Sequence, residues 1–71
     1  MEMITISTEF IKLQDMLKFA NLVATGGEAK NLILDGMILV NGQVCTQRGK
    51  KLRPGDVVGF NGREYGIRYA D

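Results

Sequence analysis

Histidine is absent from the 71-residue chain, and cysteine occurs once, at Cys45. The first absence removes the commonest general base and the commonest metal-ligating side chain. The second excludes an intrachain disulfide, and the two together exclude a cage of Cys and His around zinc. Cys45 has no histidine to activate it, and acids such as Asp35 and Asp56 stand in stretches that read as turns, so little here can do catalysis. No enzymatic activity, cofactor or metal is therefore expected. Long apolar runs are lacking too, since none approaches the roughly 20 residues that cross a bilayer as a helix. Met1-Glu2-Met3-Ile4-Thr5 has neither the basic region nor the apolar stretch of an export signal. A cytoplasmic protein without membrane contact is the expectation.

A chain this short is read as one domain, 1–71, with a small core and modest stability. Its apolar content of 45% argues against disorder. The net charge of +1 is too small to announce a nucleic-acid binder, but the distribution says more. Arg48, Lys50, Lys51 and Arg53 lie within six residues that contain no acid, which leaves five basic against eight acidic residues elsewhere. A solvated face normally mixes signs, so this cluster is the leading candidate for phosphate contacts.

The segment from Thr25 to Gly42 organises the rest. Thr25 and Glu28 have the spacing of a capping box, which fixes the start of a helix carrying Ala29, Leu32 and Ile33 on one side. The helix stops near Asp35-Gly36, where glycine accepts a left-handed conformation. Met37 to Val40 reads as a strand, Asn41-Gly42 as a type I′ turn, and Gln43 to Thr46 as the returning strand. Upstream, Ile4 and Ile6 alternate with polar residues as a short strand whose partner cannot be read. Phe10 to Leu13 fits both a helical stripe and an extended alternation; a helix is placed from about Leu13 to Ala20, burying Leu13, Met16, Leu17 and Ala20 and turning Asp15 and Lys18 outward. Downstream, the basic segment reads as a loop with short extended flanks, followed by a turn at Pro54-Gly55. Val57 to Phe60 is the next strand, Asn61-Gly62 a second hairpin turn, and Tyr65, Ile67 and Tyr69 alternate along a last strand as core residues. The fold class is α/β (α+β), with two short helices on a small, mainly antiparallel β-sheet.

This order, and above all Glu28-Ala29-Lys30, Val40-Asn41-Gly42 and Leu52-Arg53-Pro54-Gly55-Asp56, resembles the alpha-L RNA-binding motif, the domain type of small-subunit ribosomal protein four. The resemblance spans about residues 12–60 and is greatest to the small stand-alone bacterial members. It implies a module that acts on structured RNA, ribosomal RNA or ribosome-bound complexes; ribosomal proteins are candidate further partners, and a monomer is expected. Many members of that family carry a basic side chain just before the second helix, where this chain has Gly26 and Gly27.

The RNA-binding residues expected on these grounds are Lys18, Gly26, Gly27, Lys30, Arg48, Lys50, Lys51 and Arg53. Gly26-Gly27 reads first as the bend between the helices, with anion binding at the helix N-terminus as an added role that Glu28 opposes. Lys18 and Lys30 read either as solvated lysines or as flanking contacts beside the basic loop. Phe19 lies off the buried stripe, to pack on a neighbouring segment or stack on a base, and Cys45 reads as a small strand residue. Phosphate contacts and shape, rather than base identity, are the expected mode of recognition. The alternative is a protein-binding adaptor that docks on a ribosomal protein or assembly factor. A sulfur carrier is not expected, because such proteins present a flexible Gly-Gly end and the sequence here closes on Tyr69-Ala70-Asp71.

Overall fold

The computed structural model describes Met1–Asp71. The elements run β1 (Glu2–Ile6), β2 (Ile11–Lys12), α1 (Leu13–Phe19), α2 (Gly26–Leu34), β3 (Ile38–Val40), β4 (Gln43–Val44), β5 (Lys51–Leu52), β6 (Val57–Phe60) and β7 (Arg63–Tyr69). Strands β1-β7-β6-β3-β4 form one sheet in that order, and β2 and β5 form a separate two-stranded ladder. All pairs are antiparallel except β1 with β7, which supplies the partner that the Ile4–Ile6 alternation left open.

The helices end as short polar and flexible residues allow. Asn21 takes φ 60°, its N–H bonding Lys18 O and that of Leu22 bonding Leu17 O, each at 3.0 Å. Gly36 takes φ 74°, with its N–H on Ile33 O and that of Met37 on Leu32 O, each at 3.1 Å. Both are Schellman motifs, which satisfy carbonyls the helix leaves unpaired. The left-handed residue between the helices is thus Asn21. Contrary to the expectation above, Gly26 and Gly27 do not make the bend; they are the first two residues of α2 and neither has a positive φ.

The two N-termini are capped differently. On α2 the capping box is complete, with Glu28 N–H on Thr25 Oγ1 at 3.2 Å and the Glu28 carboxylate accepting the N–H groups of Thr25 and Ala24 at 3.2 and 2.9 Å. Lys12, at the N-cap of α1, makes no side-chain cap. Main-chain carbonyls of the basic loop take that role, as Leu13 N–H bonds Lys50 O at 2.8 Å and Gln14 N–H bonds Arg48 O at 3.1 Å.

Asn41-Gly42 and Asn61-Gly62 have positive φ at both positions, as type I′ turns require. At Arg53-Pro54-Gly55-Asp56, Gly55 has φ 100° and Asp56 N–H bonds Arg53 O at 2.9 Å, closing a type II turn. The core lies between sheet and helices. Leu13, Met16 and Leu17 of α1, Ala29 and Ile33 of α2, and Leu52 of β5 are fully buried, and the inward residues of the sheet, Ile4, Ile6, Ile38, Val58, Tyr65 and Ile67, are buried with them.

Four expectations are adjusted. Ala20 is the C-cap of α1 rather than its last turn. Strand β4 ends at Val44 instead of Thr46: Cys45 N–H still reaches Ile38 O at 3.0 Å, and the chain then turns toward α1. Tyr69 is not a core residue, because it stands at the end of β7 beyond the last buried position and is 51% exposed. Phe19, expected to pack on a neighbouring segment, is left 58% exposed.

Candidate nucleic-acid interface

The basic segment is held by its backbone, which leaves its side chains free. Arg48 and Lys50 give their carbonyls to α1, and Lys50 N–H closes a tight turn on Gln47 O at 3.2 Å. Lys51 then enters β5, opposite Lys12 of β2, while Leu52 lies opposite Ile11 and is fully buried. Arg53 is fixed by the turn that follows it, its N–H donating to Asp56 Oδ2 at 2.8 Å. All four basic side chains are exposed.

A second network ties this turn to the first hairpin. Asn41 Nδ2 donates to Asp56 Oδ1 at 3.1 Å, and Asn41 Oδ1 accepts Val57 N–H at 2.9 Å. The Asn41 backbone N–H bonds Val57 O at 2.8 Å. The two short motifs Val40-Asn41-Gly42 and Pro54-Gly55-Asp56 are therefore one hydrogen-bonded unit. Asn41 acts as a clamp as well as a turn residue, which hairpin chemistry alone did not disclose.

The structure joins Arg48, Lys50, Lys51 and Arg53 on one docked segment. It does not join Lys18, Gly26, Gly27 or Lys30 to them by any hydrogen bond or ion pair. Lys18 pairs with Asp15 at 3.5 Å across one turn of α1; both side chains are about half exposed, so the pair adds little to stability. Lys30 is exposed on α2. Gly26 and Gly27 present open backbone: a Cβ at Gly26 would meet nothing within 4 Å, and one at Gly27 only Thr25 Oγ1 at 3.8 Å. Glu28 occupies the donors of Ala24 and Thr25, one step before those of Gly26 and Gly27.

One neighbour of the basic side chains is not singled out by the sequence. The ring of Phe10 lies under Lys51, with Nζ 4.9 Å from its centroid, and under Arg53, with Cζ at 5.6 Å. The only available signal was the extended alternation through Phe10 to Leu13, which pairing with β5 resolves. Beside the loop, Asn41, Gln43, Thr46, Gln47 and Lys50 line a shallow polar cleft together with Val40, Val44 and Cys45. No cluster of residues suited to holding a metal ion is present, and no helix is long and apolar enough to cross a membrane.

The family model for the S4 domain matches residues 4–68. The probable ribosome maturation protein RlbA of Bacillus subtilis (strain 168) is 42% identical over 59 residues, which cover 83% of each chain. The solution structure of YbcJ from E. coli, described as having an alpha-L motif involved in RNA binding, superposes with a TM-score of 0.72 at 28% identity, covering 96% of this chain and 87% of that one. The 30S ribosomal protein S4e from Thermoplasma acidophilum shares the fold at a TM-score of 0.67 and 22% identity, over 92% of this chain and 34% of that one.

Proposed function

The chain belongs to the S4 domain family, and from that premise we propose that it is a non-catalytic RNA-binding module, a single domain with its motif core at about 12–60, that recognises structured RNA on the ribosome or its precursors. The observation that carries this reading is the acid-free run from Arg48 to Arg53, whose backbone is locked to α1 and to the Pro54-Gly55 turn while every basic side chain faces solvent. Fixed cations on a rigid frame suit phosphate contacts and recognition by shape, because they position a backbone without reading bases. Similarity to a probable ribosome maturation protein favours ribosomal RNA as the target. The same similarity favours the cytoplasm. Lys18 and Lys30 flank the site from the helices, and Gly26-Gly27 gives a phosphate access to backbone N–H groups. The module works as a monomer and needs no cofactor.

Lys50, Lys51 and Arg53 changed together to Ala test the reading. Binding to a fluorescent RNA hairpin should weaken, and the slope of log affinity against log salt should become shallower by about 2 to 3, since each lost phosphate contact removes roughly 0.7 to 0.9 of a released counterion. An unchanged slope would remove phosphate neutralisation by this loop. It would also favour the adaptor alternative, for which the outer face of the sheet offers Met3, Leu39 and Val44, all exposed. Docking on a ribosomal protein should survive nuclease treatment of the particle; RNA binding should not.

A further inference from the structure

We propose that the outer face of the β2–β5 ladder is one site for the phosphodiester backbone, in which Lys12, Lys51 and Arg53 around Phe10 each take a phosphate, and that Phe10 positions the cations; this rests on the RNA-binding reading above. The pairing Ile11↔Leu52 and Lys12↔Lys51 sets two faces. Leu52 is fully buried and Ile11 packs against the core, so alternation sends Lys12 and Lys51 outward. The same alternation places Phe10 and Arg53, one residue beyond the paired rungs, on that outer face, and the approach of both Lys51 and Arg53 to the Phe10 ring agrees with it.

Lys12 directly opposite Lys51 is unfavourable, because like charges across a strand pair repel, and a ladder of two rungs has little to offset that. No carboxylate relieves it. The one ion pair in the molecule is Lys18 with Asp15, and the nearby Asp56 carboxylate is taken by Arg53 N–H and Asn41 Nδ2. A phosphate over the ladder is attracted by every member of the group that otherwise repel one another. The ring contributes by occupying one side of each cation and leaving N–H groups on the other side for phosphate oxygens. Long side chains already held in place lose less freedom when they bind. The ligand is thus the phosphodiester backbone, without regard to base.

The test uses the fluorescent RNA hairpin with single and combined variants, each checked for an unchanged urea midpoint. Lys12→Ala should make the salt slope shallower by about 0.7 to 0.9, as for one phosphate contact. Phe10→Leu, which keeps the charges and the apolar bulk, should cost about 3- to 10-fold in affinity. Phe10→Tyr should restore it. In a Lys51→Ala/Arg53→Ala background Phe10→Leu should cost nothing, because the ring acts through those two cations. An unchanged slope in Lys12→Ala overturns the site. An equal cost of Phe10→Leu in both backgrounds overturns the positioning role and shows the ring touching RNA itself. If the unaltered protein binds no RNA, the RNA reading fails and titration with inorganic phosphate, followed by amide chemical shifts, decides the site alone: shifts centred on Lys12, Lys51 and Arg53 support it, and shifts elsewhere or none overturn it.

Discussion

At Thr25 the chain commits two side chains to one helix end. Thr25→Ala removes the acceptor for Glu28 N–H and should cost about 1 kcal/mol, a noticeable share of the roughly 4 to 10 kcal/mol expected of a chain this long. A lowered urea midpoint with unchanged RNA affinity per folded molecule is the expected result. Gly26 and Gly27 make the opposite case. Both sit in helical backbone with room for a Cβ, so the fold gives no reason for glycine. Changing both to Ala should raise stability by about 0.5 kcal/mol each. RNA affinity should fall, since two methyl groups would stand where a phosphate approaches the backbone; unchanged affinity would leave these glycines out of the interface. Asn41 and Asp56 are polar residues whose meaning came only from their pairing. The turn at Asn41 was plain from Asn-Gly, whereas its bonds to Asp56 and Val57 join residues far apart in the chain.

Among the elements, α1 depends most on its surroundings. Seven residues make about two turns, well short of the roughly 12 to 15 that an isolated helix needs to be even marginal in water. Burial of Leu13, Met16 and Leu17 holds one side, and the carbonyls of Arg48 and Lys50 hold the start. Amide hydrogens in the first turn of a helix ordinarily exchange quickly because they lack partners. Those of Leu13 and Gln14 should instead be protected, and opening of the loop should release them together with the Lys50 amide. Fast exchange at Leu13 and Gln14 would mean that the loop is not docked in solution. The elements legible in sequence were those signalled locally: the capping box, both Asn-Gly turns, the Pro-Gly turn, and the apolar stripe of α2. The β2–β5 ladder was not legible, because each strand has two residues and becomes a strand only by meeting the other. That is why the sequence shows the candidate site as a basic loop and gives no sign of the proposed contribution of Phe10 and Lys12.

Across the whole molecule, a net charge of +1 conceals an acid-free patch on an otherwise acidic chain. Attraction to RNA should therefore be local and strongly screened. The protein should co-sediment with ribosomal particles or their precursors at low salt and leave them as salt rises. If it remains unbound at low salt, ribosomal RNA is not its target. The sheet order was hidden for a related reason: β1 pairs with β7, the two strands most distant in sequence, and alternation shows that a strand exists without naming its neighbour. Because the pair is parallel, Glu2 lies beside Tyr65 and Ile6 beside Tyr69, so the leading end of β1 and the trailing end of β7 point to opposite ends of the sheet. Tension applied through those two ends would load all the β1–β7 hydrogen bonds at once, in shear, where an antiparallel hairpin pulled from its open end would unzip one rung at a time. The domain is therefore built to resist stretching along its own chain far better than its size and small core suggest, and optical-trap unfolding through these ends should require more force than pulling β6 and β7 apart from the side away from Asn61-Gly62.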